Sequence, residues 1–157
     1  MTVPVWRIAV EAPLFSASDL SGAGAGISGG RWNSKGNPLV YCSTNIALAT
    51  LETIHYLRGG SLPFNRYLVR IDIPDQVWNA RRVLDPLPGG WDAIPAGLTA
   101  RTAGDSWIAS RASALLMVPS VIVPEEYNVL ISPQHADAST IMATVVKRPS
   151  CDVRFFT

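Results

Sequence analysis

Arg31, Tyr41 and Glu52 are the residues of this chain best suited to chemistry, and they fall on three successive predicted elements. Arg31 follows Gly29-Gly30 and precedes Trp32-Asn33. A glycine pair lets backbone approach a ligand closely, and a guanidinium grips phosphate through two parallel hydrogen bonds. Tyr41 brings an aromatic face and a hydroxyl, and Glu52 a carboxylate at the border of an apolar helix stripe. Taken singly, each has a plainer explanation: an arginine lying along Trp32, a core tyrosine with its hydroxyl at an edge, a solvated helix glutamate. Together they suit a phosphorylated nucleotide with a sugar hydroxyl for the carboxylate to act on, rather than a metal ion or a long polymer.

The elements that must position these residues are legible from patterning. Residues 5–10 read as a strand with two mostly apolar faces, hence a central one. Residues 17–38 form a Gly- and Ser-rich connection, long enough to be functional or mobile. A second strand over 38–43 carries Tyr41. Residues 44–58 predict a helix, capped by Ser43 or Thr44 and ended by Gly59-Gly60. Its stripe runs through Ala47, Leu51, Ile54 and Arg58, with Glu52 at the border beside Leu48 and His55. Residues 66–73 alternate as a strand, and 77–84 suggest another. A Pro/Gly-rich connection over 86–98 is anchored by Trp91. A helix is expected over 105–114, with Asp105 as cap and Trp107 turned inward. Short strands are expected at 115–118, 120–123 and 128–131, and 142–147 and 153–156 complete the sheet. No repeat or linker divides the chain, so residues 1–157 read as one α+β domain with mixed or antiparallel sheets and a few short helices.

Other motifs fail on context. Gly24-Ala25-Gly26-Ile27-Ser28-Gly29 matches the dinucleotide fingerprint in letters, but no strand precedes it and no helix is predicted after it. Glu52-Thr53-Ile54-His55 has the Glu-x-x-His form, yet such metal sites draw ligands from several helices and His135 is the one other histidine. No metal is expected. Ser120 lacks a nucleophile elbow; it is either a turn or strand serine bonding locally to backbone or a hydroxyl that holds a ligand. Cys42 lies in an apolar run and reads as an inert thiol.

Composition narrows the class of partner. The 157 residues carry 13 Lys+Arg against 12 Asp+Glu, a net charge of +1. Without a basic excess, direct nucleic-acid binding is not expected, although a cleft can be locally basic. Two cysteines do not make a disulfide framework. No leader pattern and no long apolar run is visible, so a soluble cytoplasmic protein with no membrane contact is expected. The hydrophobic share of 48% against 16% charged residues suits an exposed apolar patch that meets a partner.

The chain resembles the RES-domain family, named for an Arg, a Glu and a Ser. The resemblance runs through Trp6-Arg7, Gly30-Arg31-Trp32-Asn33 with Gly36, Tyr41-Cys42-Ser43, and Ala47 with Leu51-Glu52 and Tyr56. It continues through Asp105 with Trp107, Val118-Pro119-Ser120 with Pro124, and Asn128-Val129-Leu130-Ile131-Ser132-Pro133 with His135. Ser132 stands where the family pattern leads one to expect Asn. The resemblance implies an ADP-ribosyltransferase-like fold and the toxin half of a bacterial toxin–antitoxin pair that consumes NAD+. The reaction would be NAD+ degradation or ADP-ribosyl transfer to a protein such as phosphoribosyl pyrophosphate synthetase. It implies a partner, an Xre-like helix-turn-helix antitoxin covering the active site in a hetero-oligomer, and no prosthetic group. Arg31, Glu52 and Ser120 are assigned by the resemblance, and Tyr41 joins Arg31 and Glu52 as catalytic. Gly30, Arg31, Trp32, Tyr41, Ser43, His55 and Ser120 are the expected NAD+-binding set. The alternative is a non-catalytic module that holds a nucleotide or a partner.

Overall fold

The computed structural model describes residues 1–54, 65–147 and 154. Elements follow in the order β1 (Thr2–Val10), α1 (Ala23–Ser28), β2 (Val40–Ser43), α2 (Ile46–Ile54), β3 (Arg66–Pro74), α3 (Asp75–Asn79), β4 (Arg82–Val83), α4 (Leu98–Ser110), β5 (Leu115–Pro119), β6 (Tyr127–Ile131) and β7 (Met142–Lys147). A 3-10 turn over Ala136–Thr140 precedes β7. The strands form one mixed sheet in the order β4-β5-β6-β2-β1-β3-β7. All neighbours are antiparallel except β4 and β5.

Strand alternation divides the core between the two faces of this sheet. Leu115, Met117, Val129 and Ile131 join Val5, Val40, Val69, Ile71 and Ile73 in one cluster. Leu116, Val118 and Leu130 belong to the other, with Trp32, Leu39 and the α4 residues Ala100, Trp107 and Ile108. Every residue of β5 is buried, which is why it reads as a continuous apolar run rather than an alternating one. Trp107 also satisfies its indole N–H, which donates to Ser113 Oγ at 2.9 Å.

The sheet has a weak seam. β1 meets β2 through one register pair, Trp6 with Ser43, whereas β1 runs beside β3 along its whole length. Past that pair the two strands part, and residues 7–10 of β1 and 41–43 of β2 line a common cleft.

Several expected elements differ. The strand over 77–84 is instead α3 followed by the two-residue β4; Pro74-Asp75 is a helix-start signal, with an acidic residue in the first turn. Residues 120–123 are a turn, because Ser120 Oγ accepts the amides of Ile122 and Val123, each at 3.1 Å, closing a local bend in place of a ladder. α4 starts at Leu98, so Asp105 lies inside it and is not its cap. α2 starts at Ile46, and its cap is Asn45, whose Oδ1 accepts the Leu48 amide at 2.8 Å. The connection over 17–38 holds the short helix α1, which is where the fingerprint-like glycines fall. The end of the predicted helix after Ile54, and residues 153–156 apart from Arg154, lie outside the described residues.

Candidate functional site

The cleft at the seam has a volume of about 1360 Å³, beyond the ~300–1,000 Å³ of ordinary small-molecule pockets. Its lining includes five cations, Arg7, Arg31, Lys35, Arg66 and Arg101, against two carboxylates, Asp19 and Glu52. A nearly neutral chain has thus gathered a local excess of positive charge around one glutamate, an arrangement that attracts an anionic ligand.

Glu52 reaches this cleft because α2 is rotated from the expected stripe. The buried side carries Leu48, Ala49 and Thr53, while Ala47 is exposed. Glu52 stands one turn after Leu48, so it lies on the packed side itself. Its Oε1 accepts two hydrogen bonds, from Ser120 Oγ at 2.7 Å and from Asn128 Nδ2 at 2.9 Å. Asn128 is fixed in turn, because its Oδ1 accepts from Ser43 Oγ at 2.8 Å. Among the described residues no partner reaches Oε2. One carboxylate oxygen is therefore clamped from β2, β6 and the turn after β5, and the other stays available to a ligand.

Arg31 sits in a tight turn closed by the Gly30 amide donating to Asn33 O at 3.0 Å. Tyr41 Oη ties this turn to β2, accepting from the Trp32 amide at 3.0 Å and donating to Asn33 Oδ1 at 2.6 Å. Gly30 is required by this contact: a Cβ there would lie 2.6 Å from Tyr41 Oη. The close approach the glycine permits is thus to Tyr41. Gly104 makes a second one, since a Cβ at that position would fall 1.7 Å from Trp32 O. Asp105, one residue along α4, accepts the Ser34 amide and Asn37 Nδ2, each at 2.9 Å, together with the Ser34 hydroxyl. Burial works to raise the Asp105 pKa, but the Ser34 and Asn37 hydrogen bonds and the Arg101 charge outweigh it and hold it below the usual carboxylate range.

Arg31 itself faces across the cleft mouth. Its Nη1 donates to Trp91 O at 2.9 Å and Ala93 O at 2.8 Å, pinning the connection between β4 and α4. The Trp91 ring stacks on Trp32 at 6.5 Å and 21°. A guanidinium has five N–H donors, so Nε and Nη2 remain for a ligand.

Gly30, Arg31, Trp32, Tyr41, Ser43 and Glu52 all line one cleft. Two of these side chains play a supporting part: Trp32 is 3% exposed and packs in the core, and the Ser43 hydroxyl serves Asn128. Ser120 is 0% exposed and lies behind Glu52. His55 is outside the described residues. Sequence reasoning missed Asn128, though a signal was present: an amide on the same strand face as buried Leu130 is a polar residue where strands seldom place one. It also missed Asp105 as the anchor of the turn. Cys42 is buried, and desolvation pushes its thiol up to about 12 against the opposing pull of Arg7, which leaves it unreactive. Among the described residues no group of His, Cys, Asp or Glu comes together to hold a metal ion.

The RES domain model matches residues 4–155. A Prs ADP-ribosylating toxin of Sphingobium sp. (strain YBL2) is 52% identical over 156 residues, covering 98% of this chain and 97% of that protein. A protein named Toxin Res from Pseudomonas putida is 38% identical over 138 residues, covering 87% and 88%. Another from Yersinia enterocolitica is 35% identical over 133 residues, covering 83% and 86%. In fold, the chain is similar to one in the M. tuberculosis MbcT–MbcA toxin–antitoxin complex, with a TM-score of 0.62 at 14% identity over 94% of this chain and 85% of that one. The chain belongs to the RES domain family.

Proposed function

We propose that this chain is a toxin that cleaves the nicotinamide–ribose bond of NAD+ and transfers ADP-ribose to a protein, with phosphoribosyl pyrophosphate synthetase as the target. The observation that carries this reading is Glu52, with one oxygen clamped by Ser120 and Asn128 and the other open to a cationic cleft. It is supported by 52% identity, along nearly the whole chain, to a protein named as a Prs ADP-ribosylating toxin.

The chemistry follows from the charges. The C1′–N bond breaks, and its electron pair leaves with neutral nicotinamide. The ribose becomes oxocarbenium-like, as in glycoside hydrolysis. Glu52 Oε2 accepts from the ribose 2′-hydroxyl and stabilises the developing positive charge; because its partners hold it in place, little reorganisation is needed at the transition state. Arg31 Nε and Nη2 hold phosphate oxygens by charge-assisted hydrogen bonds. Tyr41 presents its ring to the nicotinamide ribose while its hydroxyl keeps the Arg31 turn in place. A nucleophilic atom of the target forms the new bond to C1′ and releases its proton to solvent. Ser43, Asn128 and Ser120 act through Glu52.

The partner in this reading is an antitoxin that covers the cleft, an Xre-like helix-turn-helix protein, in a hetero-oligomer held in the cytoplasm. Among the described residues no helix is long and apolar enough to cross a membrane. Induced expression in bacteria tests the proposal: wild-type chain arrests growth and Glu52→Gln, folded at equal abundance, does not. Equal toxicity of the two would remove Glu52 from the mechanism.

A further inference from the structure

The cations of the cleft are not equivalent. Arg31 spends Nη1 on two loop carbonyls, and the Arg101 charge acts on Asp105. Arg66 differs. It opens β3 opposite Val10 of β1 and lines the cleft, yet its Nε is buried with no hydrogen-bond partner among the described residues. A buried donor left unmade is costly, and more so on a cation.

We infer that Arg66 is an anion-binding residue of the cleft, whose guanidinium, desolvated at Nε, receives a phosphate oxygen of the ligand on the side that lines the cleft. Desolvation lowers its pKa, and among the described residues no carboxylate forms an ion pair with it. A chain that desolvates a guanidinium beside a cleft without a counter-charge leaves its neutralisation to whatever enters. A phosphate oxygen meets that need with a charge-assisted bond. A sugar hydroxyl or an uncharged ring neutralises nothing. Arg31 and Arg66 then share the work: Arg31 joins ligand to loop, and Arg66 supplies charge from β3. For NAD+ the matching group is the pyrophosphate, and that identification rests on the function proposed above. The anion site itself does not.

The test is a thermal-shift and calorimetric comparison of wild type, Arg66→Met and Arg66→Lys, with inorganic pyrophosphate, ADP-ribose and nicotinamide riboside as probes. The inference predicts that Arg66→Met melts no lower than wild type without ligand, since an uncompensated charge is gone. It also predicts loss of the pyrophosphate-induced shift, and ADP-ribose binding weaker by on the order of 10- to 100-fold. Nicotinamide riboside affinity should stay unchanged, and Arg66→Lys should keep part of the pyrophosphate shift. A pyrophosphate shift equal in wild type and Arg66→Met, or absent from wild type, overturns the site. So does equal weakening of all three probes, which would make Arg66 structural. Should pyrophosphate discriminate as predicted while wild type binds neither ADP-ribose nor NAD+, the anion site stands and the proposed function falls.

Discussion

Ser120→Ala separates a residue that positions Glu52 from one that merely fills space. The Ser120 hydroxyl is fully buried, donates to Glu52 Oε1 at 2.7 Å and accepts two backbone amides at 3.1 Å. Among the described residues, removing it leaves Asn128 as the one remaining side chain on that carboxylate oxygen. A hydrogen bond to a charged group contributes about 1.5–3 kcal/mol. If that free energy is expressed in the transition state, kcat falls roughly 10- to 100-fold at 1.36 kcal/mol per decade. KM should change little, because Ser120 is buried behind the carboxylate and does not itself line the cleft. The amides of Ile122 and Val123 also lose their acceptor, which costs about 1–2 kcal/mol of stability in a partly solvated turn. Nicotinamide release measured well below the melting temperature, alongside a melting curve, reads both effects. A folded Ser120→Ala enzyme with wild-type kcat would refute the positioning argument, as would one whose whole defect lies in KM.

Other expectations follow from the same contacts. Tyr41→Phe strips the partner from the Trp32 amide and from Asn33 Oδ1, so denaturant melts should show a loss of about 2 kcal/mol in addition to any kinetic defect. Gly104→Ala forces a Cβ to within 1.7 Å of Trp32 O; it should cost more than ~3 kcal/mol or prevent folding, as judged by soluble yield and circular dichroism. Because the folded-state pKa of Asp105 is depressed, its stabilisation is present above the unfolded value of about 3.9 and fades as pH falls through the lower folded value. Asp105→Asn should therefore flatten the acid limb of a stability–pH profile below about pH 4 and leave its neutral shape alone. With its thiol pushed up to about 12, Cys42 should resist iodoacetamide at pH 8 in the folded protein, as read by peptide mapping; rapid labelling would contradict its burial.

Much of this was legible in residue order. Local pattern located β1, β2, β3 and the apolar run of β5, because periodicity is a local property. It placed Arg31, Tyr41 and Glu52 on consecutive elements, and the fold brings those elements to one cleft. What local pattern could not show was how far partners reach. Glu52 is clamped from 68 and 76 positions away, on a helix whose buried side carries Leu48, Ala49 and Thr53 rather than the expected stripe through Ala47 and Leu51. Asp105 looked like a cap because capping is the usual local use of an aspartate before an apolar pattern; its actual partners, Ser34 and Asn37, are some seventy residues back. Ser120 read as a strand residue because the apolar neighbours Val121, Ile122 and Val123 outweighed a hydroxyl that closes the turn. Arg66 opens the alternating strand over 66–73, where no local pattern distinguishes it, and its buried Nε is what marks it out.

The most direct test of the central claim is mass spectrometry of NAD+ and purified phosphoribosyl pyrophosphate synthetase incubated with this chain, with Glu52→Gln in parallel. The account predicts nicotinamide release matched by ADP-ribose mass on the synthetase, and neither with Glu52→Gln. Intact NAD+ and unmodified synthetase from demonstrably folded wild-type chain would contradict it, as would modification that proceeds equally well in Glu52→Gln.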